Sequence, residues 1–336
     1  MSLEKNISIK NYNTFGVDQK VKNFYKINTE DDLVKVLNLI PSNEEKIILG
    51  GGSNILFTQD FSGTILYNNI LGRKVIKETQ ESIYIKFGAG ENWDKIVGHC
   101  VNNKWYGIEN LSLIPGSVGA APIQNIGAYG TEIENLIHEV SGINILNGNH
   151  KIYNNNSCDF TYRNSVFKSK LKNIFFITNV TIKLSKIKKL NISYKELKEH
   201  FKNKDLKNLS IKEVRNAIIK IRNSKLPDPN RLGNAGSFFK NPLIDNEKYN
   251  HIKNLYPDIP SYDSNNNKKV PAAFLIEKCG WKGCREENVG TYKKHALVLV
   301  NYGCKNGREI LDFSEKIKKS VMDKFNIELV REVNVH

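Results

Sequence analysis

The chain has 336 residues, 40% of them hydrophobic and 25% charged, which suits roughly two or three globular domains with ample core and excludes a disordered polymer. No apolar run reaches bilayer length and the stretch from Met1 to Gly16 has no hydrophobic signal core, so membrane insertion and secretion are not expected. The formal net charge of +15 is the excess of 50 basic residues over 35 acidic ones; 42 of the basic residues are Lys, spread thinly, and only 8 are Arg, while Asn reaches 44. Base readout and phosphate clamping favour clustered Arg, so a solvated basic surface is expected rather than a nucleic-acid site. An anionic small substrate would also profit from that field.

In chain order, Thr29 and Asp32 open an apolar pattern at Leu33, Val36, Leu37 and Ile40, with Pro41 directly after; this predicts a capped helix with a hard stop. Lys46–Leu49 and Thr64–Tyr67 read as strands flanking a glycine-rich turn, closing a small α/β unit of about 70 residues. A second unit opens with the alternating strand Ser82–Phe87. The helix Glu91–Val101 follows, its Trp93, Ile96, Val97, Cys100 and Val101 on one face. Short β-rich stretches run on through Ile174–Leu184.

Ser210 and Glu213 form a capping box for a helix carrying Val214, Ala217, Ile218 and Ile221. Lys225-Leu-Pro-Asp-Pro-Asn then breaks the pattern as a linker. Beyond it come the segment opening at Gly233, a helix Ala272–Cys279, a strand Ala296–Asn301 and a long helix Gly307–Phe325; Asn265–Lys269 is polar and reads as a loop. The fold class is α+β. The expected boundaries are 1–72, 73–225, 226–326 and a C-terminal strand 327–336.

Cys100, Cys158, Cys279, Cys284 and Cys304 are odd in number and irregular in spacing. They fit neither a disulfide framework nor a CxxC metal site, and reduced thiols in a cytoplasmic protein are the simplest account. No metal is expected.

Two glycine-rich segments stand out: Gly50-Gly-Gly-Ser-Asn after a strand, and the sixteen residues Pro115–Gly130, dominated by small side chains. Such backbone lets N–H groups converge on phosphate oxygens, and two loops could grip a diphosphate from both sides. Familiar nucleotide motifs fail: Gly88-Ala-Gly-Glu-Asn-Trp has Trp93 where the third Rossmann glycine belongs, and no Lys-Ser/Thr pair follows a glycine run.

Asn13-Thr-Phe-Gly, Gly50-Gly-Gly-Ser-Asn, Pro115–Gly130, Tyr162-Arg-Asn-Ser and Gly236-Ser-Phe-Phe-Lys-Asn-Pro, in this order, resemble the UDP-N-acetylenolpyruvoylglucosamine reductase (MurB) family of peptidoglycan synthesis. The resemblance runs from Asn13 to Glu332 and implies a noncovalent FAD held between the first and second domains, a two-domain FAD-binding module of the vanillyl-alcohol-oxidase type. It implies a C-terminal α/β substrate domain and NADPH as reductant. The Tyr262 segment is similar to the longer form of the enzyme, in which a tyrosine loop closes over substrate.

The family's cofactor-binding positions would fall on Gly50, Gly51, Gly52, Ser53, Asn54, Ile114, Pro115 and Gly116. They would continue with Gly119, Ala120, Ile123, Gln124, Asn125, Gly127 and, at a helix end, Arg222. Arg163 resembles the arginine that stabilises the enolic intermediate, its planar fork matching a carboxylate that gains electron density. Glu332 resembles the acidic partner, although alternation with Ile327, Leu329, Val333 and Val335 alone would turn it to solvent.

Ser237 resembles the proton donor, a role that needs a network stabilising its alkoxide. Tyr194, Lys225, Asn241, Tyr262 and Lys282 resemble the substrate-binding set. The chain departs from the family at Val330 and Arg331, where an acidic residue and a proline are frequent; Arg331 sets positive charge beside Glu332. Partners are then small molecules, a UDP-sugar enolpyruvyl ether and NADPH, with neither nucleic acid nor membrane, and a monomeric chain. The same scaffold could instead serve a flavin oxidase on another substrate, which has no need of a serine donor with Arg163 and Glu332.

Overall fold

Residues 2–264 and 266–336 are described by a computed structural model. They group into two compact units: one comprises 2–7, 21–51 and 62–224, the other 8–20, 52–61 and 225–336.

In the first unit, a four-stranded sheet runs in the order Ser2–Ser8, Lys20–Ile27, Phe61–Asn68, Lys46–Leu49. Its last two strands pair in parallel, Lys46 opposite Thr64. A parallel pair needs a crossover, and long-range closure of this kind is invisible in a local window. The helix Glu30–Leu39 is capped as expected: the Thr29 hydroxyl accepts from the Asp32 N–H at 3.0 Å. Its Leu33 and Val36 join Tyr25, Ile27, Leu66 and Phe176 in one apolar cluster.

A five-stranded antiparallel sheet follows in the order His150–Asn154, Ile137–Asn144, Phe175–Ser185, Ser82–Gly88, Arg73–Glu78. Its central strands are buried and its Arg73–Glu78 edge is exposed throughout. The helix behind it starts at Trp93, not Glu91, because Glu91 is spent in a turn, its N–H donating to Gly88, and Asn92 supplies the cap to the Lys95 N–H. Trp93 is buried in a second apolar cluster with Ile85, Phe87, Val180 and Ile182, and its indole N–H donates to the Leu111 carbonyl at 2.9 Å. The helices Lys195–His200 and Ile211–Lys225 pack through Leu197, Phe201, Val214 and Ile218. The capping box forms: Ser210 Oγ accepts from the Glu213 N–H, and the Glu213 carboxylate from the Ser210 N–H.

The second unit is built on an antiparallel sheet ordered Gly233–Ser237, His295–Asn301, Val289–Tyr292, Arg285–Glu286. Against it lie Ala272–Lys278 and the long helix Gly307–Phe325, whose Ile310, Phe313, Ile317 and Val321 are buried at helical spacing. Two expectations are corrected here. Within the expected polar loop, Asn265 lies outside the described residues, but Asn267–Lys269 is the middle strand of a ribbon between Leu243–Ile244 and Tyr262–Ser264. The C-terminal segment is not one strand. Only Asn334–Val335 pairs, in parallel with Ile55–Leu56, and Arg331 makes an isolated bridge to Phe239. Among the described residues no helix is long and apolar enough to cross a membrane.

Candidate active site

The two glycine-rich segments meet backbone to backbone in the first unit. A Cβ added to Gly51 would lie 2.8 Å from the Gly116 Cα, too close for any side chain, so the sequence must carry glycine where the loops touch. The loop ahead of Gly116 is fixed by Asp94: its carboxylate accepts from the Leu113 N–H at 2.5 Å and from both terminal nitrogens of Arg215 at 2.7 and 2.9 Å. Burial alone would raise the Asp94 carboxyl. The Arg215 hydrogen bonds, the Leu113 N–H and the charges of Arg215 and Arg222 outweigh it and hold the group below its ordinary value.

Arg222 lies near this pair, on the same helix as Arg215. Its Nε is buried without a hydrogen-bond partner among the described residues, and burial lowers its pKa. A buried guanidinium with an orphaned donor is costly unless an anion completes it. That, with a bare-backbone cradle at Gly51 and Gly116, fits an anionic dinucleotide such as FAD. Gly50, Gly51, Ile114, Pro115, Gly116, Gly119, Ala120, Ile123, Gln124, Asn125, Gly127 and Arg222 all belong to the first unit, and Gly52, Ser53 and Asn54 to the second.

Arg163 sits at the tip of a tight turn closed by Thr161 and Asn164, in the left-handed region at φ +54. A non-glycine residue there stores strain of about 1–3 kcal/mol, a common feature of functional sites. Its guanidinium donates to the carbonyls of Asn125 at 3.2 Å and Gly127 at 3.0 Å and lies over the Tyr162 ring. The small-residue segment therefore orients Arg163. The Asn125 side chain is engaged internally, donating to the Glu134 carboxylate at 2.9 Å and accepting from the Glu134 N–H at 3.1 Å.

In the second unit the chain brings Ser237 and Glu332 close. The Glu332 N–H donates to the carbonyl of Phe238 at 2.8 Å, so Glu332 adjoins the residue that follows Ser237. The Asn54 amide donates to the Glu332 carbonyl at 3.2 Å, and the Asn334 N–H donates to the Asn54 carbonyl at 3.1 Å. Glu332 is half-buried, not turned to solvent as alternation alone suggests, because the surrounding segment wraps over Phe238 and Phe239. The Arg331 guanidinium pairs with Glu315 at 2.8 Å on the long helix. The neighbouring positive charge that the sequence set beside Glu332 is thereby engaged elsewhere.

Tyr194 is exposed and meets Tyr129 edge to face at 5.3 Å. Lys225 is exposed at its helix end. The Asn241 side-chain Oδ1 accepts from the Ala272 N–H at 3.0 Å, at the start of the helix Ala272–Lys278. Tyr262 is 55% exposed on the ribbon, and Lys282 pairs with Glu277 at 2.9 Å. Among the described residues no group of His, Cys, Asp and Glu could hold a metal ion.

Sequence reasoning missed Asp94 and Arg215, whose pairing joins two helices far apart in the chain, and Asn234, which directly follows Gly233. An Asn two residues before a Gly is an Asx-turn signal that could have found it.

Similarities to known proteins fall on both parts of the chain. A family model described as the C-terminal domain of UDP-N-acetylenolpyruvoylglucosamine reductase matches residues 228–336, and an FAD-binding-domain model matches 22–154. A UDP-N-acetylenolpyruvoylglucosamine reductase of Flavobacterium johnsoniae is 43% identical over 337 residues, covering 100% of both chains. That of Amoebophilus asiaticus is 41% identical, covering 100% of this chain and 99% of its own. The crystal structure of the Thermus caldophilus enzyme aligns with TM-score 0.69 at 20% identity over 100% of this chain and 99% of that one, a likeness of fold.

Proposed function

The chain belongs to the UDP-N-acetylenolpyruvoylglucosamine reductase family, and from that premise we propose that it reduces the enolpyruvyl ether of UDP-N-acetylglucosamine to UDP-N-acetylmuramate at the expense of NADPH. It is a flavin oxidoreductase of peptidoglycan precursor synthesis. FAD, held noncovalently, supplies the hydride when bound.

The remaining work belongs to the chain. A hydride reaches the terminal alkene carbon and a proton the adjacent one, so the carbon–carbon double bond becomes a single bond and the ether a lactyl ether. The Ser237 hydroxyl gives that proton. Arg163 stabilises the substrate carboxylate as negative charge builds on it, a task suited to a permanently charged planar fork. Glu332 is the acidic partner of the enolic stage. Tyr194, Lys225, Asn241, Tyr262 and Lys282 hold substrate, the two lysines by their charge on carboxylate or pyrophosphate oxygens. The nucleotide-activated substrate and the free thiols suit a cytoplasmic, reducing setting, and the chain acts as a monomer without nucleic acid or membrane.

One observation supports this function above the others: the Glu332 N–H is bonded to Phe238, next to Ser237, so a hydroxyl and an acidic residue are brought to one corner of the second unit. The test is optical. Purified protein is expected to be yellow, to bleach with NADPH and to recover its colour on adding the enolpyruvyl nucleotide. Protein that stays colourless after incubation with FAD, or that bleaches but never recovers, would overturn it.

A further inference from the structure

We infer that Asn234 is the positioning residue for Ser237, an inference that rests on the proton-donor role proposed above. The strand Gly233–Ser237 does not pair regularly with His295–Asn301: Asn234 is opposite Val300, yet Ser237 is opposite Val298. Three steps on one strand match two on the other, so one extra residue is accommodated. Ser237 thus shares a face with Asn234, whereas regular alternation would send it to the opposite face. The bulge is what aims the hydroxyl.

Gly236 occupies the bulge at φ +69, with open space around any added Cβ. Glycine is needed there for its backbone conformation alone. Asn234 holds that conformation. It is buried, its Oδ1 accepts from the Gly236 N–H at 3.0 Å, and its amide donates to the carbonyls of Leu232 at 2.8 Å and Pro227 at 3.3 Å. Its own N–H donates to the Thr14 carbonyl at 3.0 Å, and the Thr14 N–H donates to Gly52 at 3.0 Å. The Asn13-Thr-Phe-Gly segment thereby ties the serine strand to the Gly52 loop within one unit. Removing the Asn234 side chain frees the Gly236 N–H and lets the bulge relax, moving Ser237 while leaving its chemistry intact.

The experiment resolves the two half-reactions by stopped-flow absorbance of the holoenzyme, alongside the solvent isotope effect on the second and the thermal midpoint. Asn234→Ala is expected to slow flavin reoxidation by the enolpyruvyl nucleotide about a hundredfold, the scale of a misplaced reacting group. Reduction by NADPH should stay within about twofold, and the solvent isotope effect should rise as proton transfer becomes limiting. Asn234→Ser, whose hydroxyl can accept from the same N–H, is expected to recover most of the rate. A second arm approaches from the bulge itself: Gly236→Ala should slow the same half-reaction, and Gly236→Asn, which tolerates the left-handed region, should slow it less.

Equal loss in both half-reactions, no rescue by serine, or an unaffected Gly236→Ala enzyme would overturn the inference. Ser237→Ala run in parallel separates the two claims. If it stops reoxidation while Asn234→Ala does not, only the positioning role falls. If it leaves reoxidation fast, the donor assignment falls and the inference with it.

Discussion

Asp94 and Arg215 meet through two parallel N–H···O bonds of 2.7 and 2.9 Å, joining the first turn of one helix to the middle of another 121 residues later. Because Asp94 also accepts from the Leu113 N–H, the pair sets the chain just ahead of Pro115 and Gly116. It is partly buried, with side-chain exposures of 28% and 15%, so the full cost of breaking a buried pair is discounted. Asp94→Asn is expected to destabilise by about 2 kcal/mol, since Arg215 is left without its counter-charge. A carboxyl depressed in the folded state contributes stability above its unfolded pKa, and that contribution is lost as pH falls through the lower folded value. The gap in thermal midpoint between wild type and Asp94→Asn should therefore be flat above about pH 5 and close below about pH 4. A gap that widens in acid would contradict the pairing.

Gly51→Ala tests the contact between the two glycine loops. The new methyl would meet Gly116 backbone at 2.8 Å, and backbone cannot step aside as a flexible side chain does. Overpacking of this kind costs about 1–3 kcal/mol, and the loops must part. The expected protein is folded but binds FAD weakly, read as loss of flavin absorbance on gel filtration. Full retention of colour would show that the close approach does not shape the cofactor site.

The local devices were legible because they are written in a few adjacent residues. Thr29 with Asp32, Ser210 with Glu213, and the apolar spacing from Trp93 to Val101 each predict an element that forms. What escaped was non-local. Asn267–Lys269 is polar and turn-like, yet it pairs on both sides with segments whose proximity no window reveals. The bulge before Ser237 is a property of register against His295–Asn301, not of Gly233–Ser237 alone. Alternation alone turns Glu332 to solvent, but the wrap over Phe238 half-buries it. Arg163 was legible only through its resemblance to a family, since an arginine after a tyrosine has no distinguishing pattern of its own.

The cysteines make a chemical prediction. Cys100, Cys158 and Cys304 are buried, and burial pushes each thiol up to about 12; Cys279 is raised for the same reason. Thiolate is the reactive form, so native protein should titrate rapidly with Ellman's reagent at no more than Cys279 and Cys284, the two partly exposed thiols. All five should react after unfolding in guanidinium. Rapid labelling of Cys100 in the folded state, located by mass spectrometry, would contradict its burial.

Arg163→Lys isolates the geometry of the guanidinium from its charge. Arg163 is held at φ +54 with two terminal nitrogens on the carbonyls of Asn125 and Gly127. An ammonium is a point charge on a flexible stem and cannot bond both carbonyls while presenting a planar edge to a carboxylate. The left-handed backbone strain is unchanged by the substitution, so stability should shift by less than about 1 kcal/mol, and flavin content should be retained. Turnover of the enolpyruvyl nucleotide should nevertheless fall by about a hundredfold or more, the usual scale for losing one preorganised charge stabiliser. Reduction by NADPH, which does not involve the enolic charge, should be nearly normal. If the lysine enzyme turns over within a few-fold of wild type, charge alone suffices, and the fork, together with the strained turn that presents it, has no part in stabilising the enolic stage.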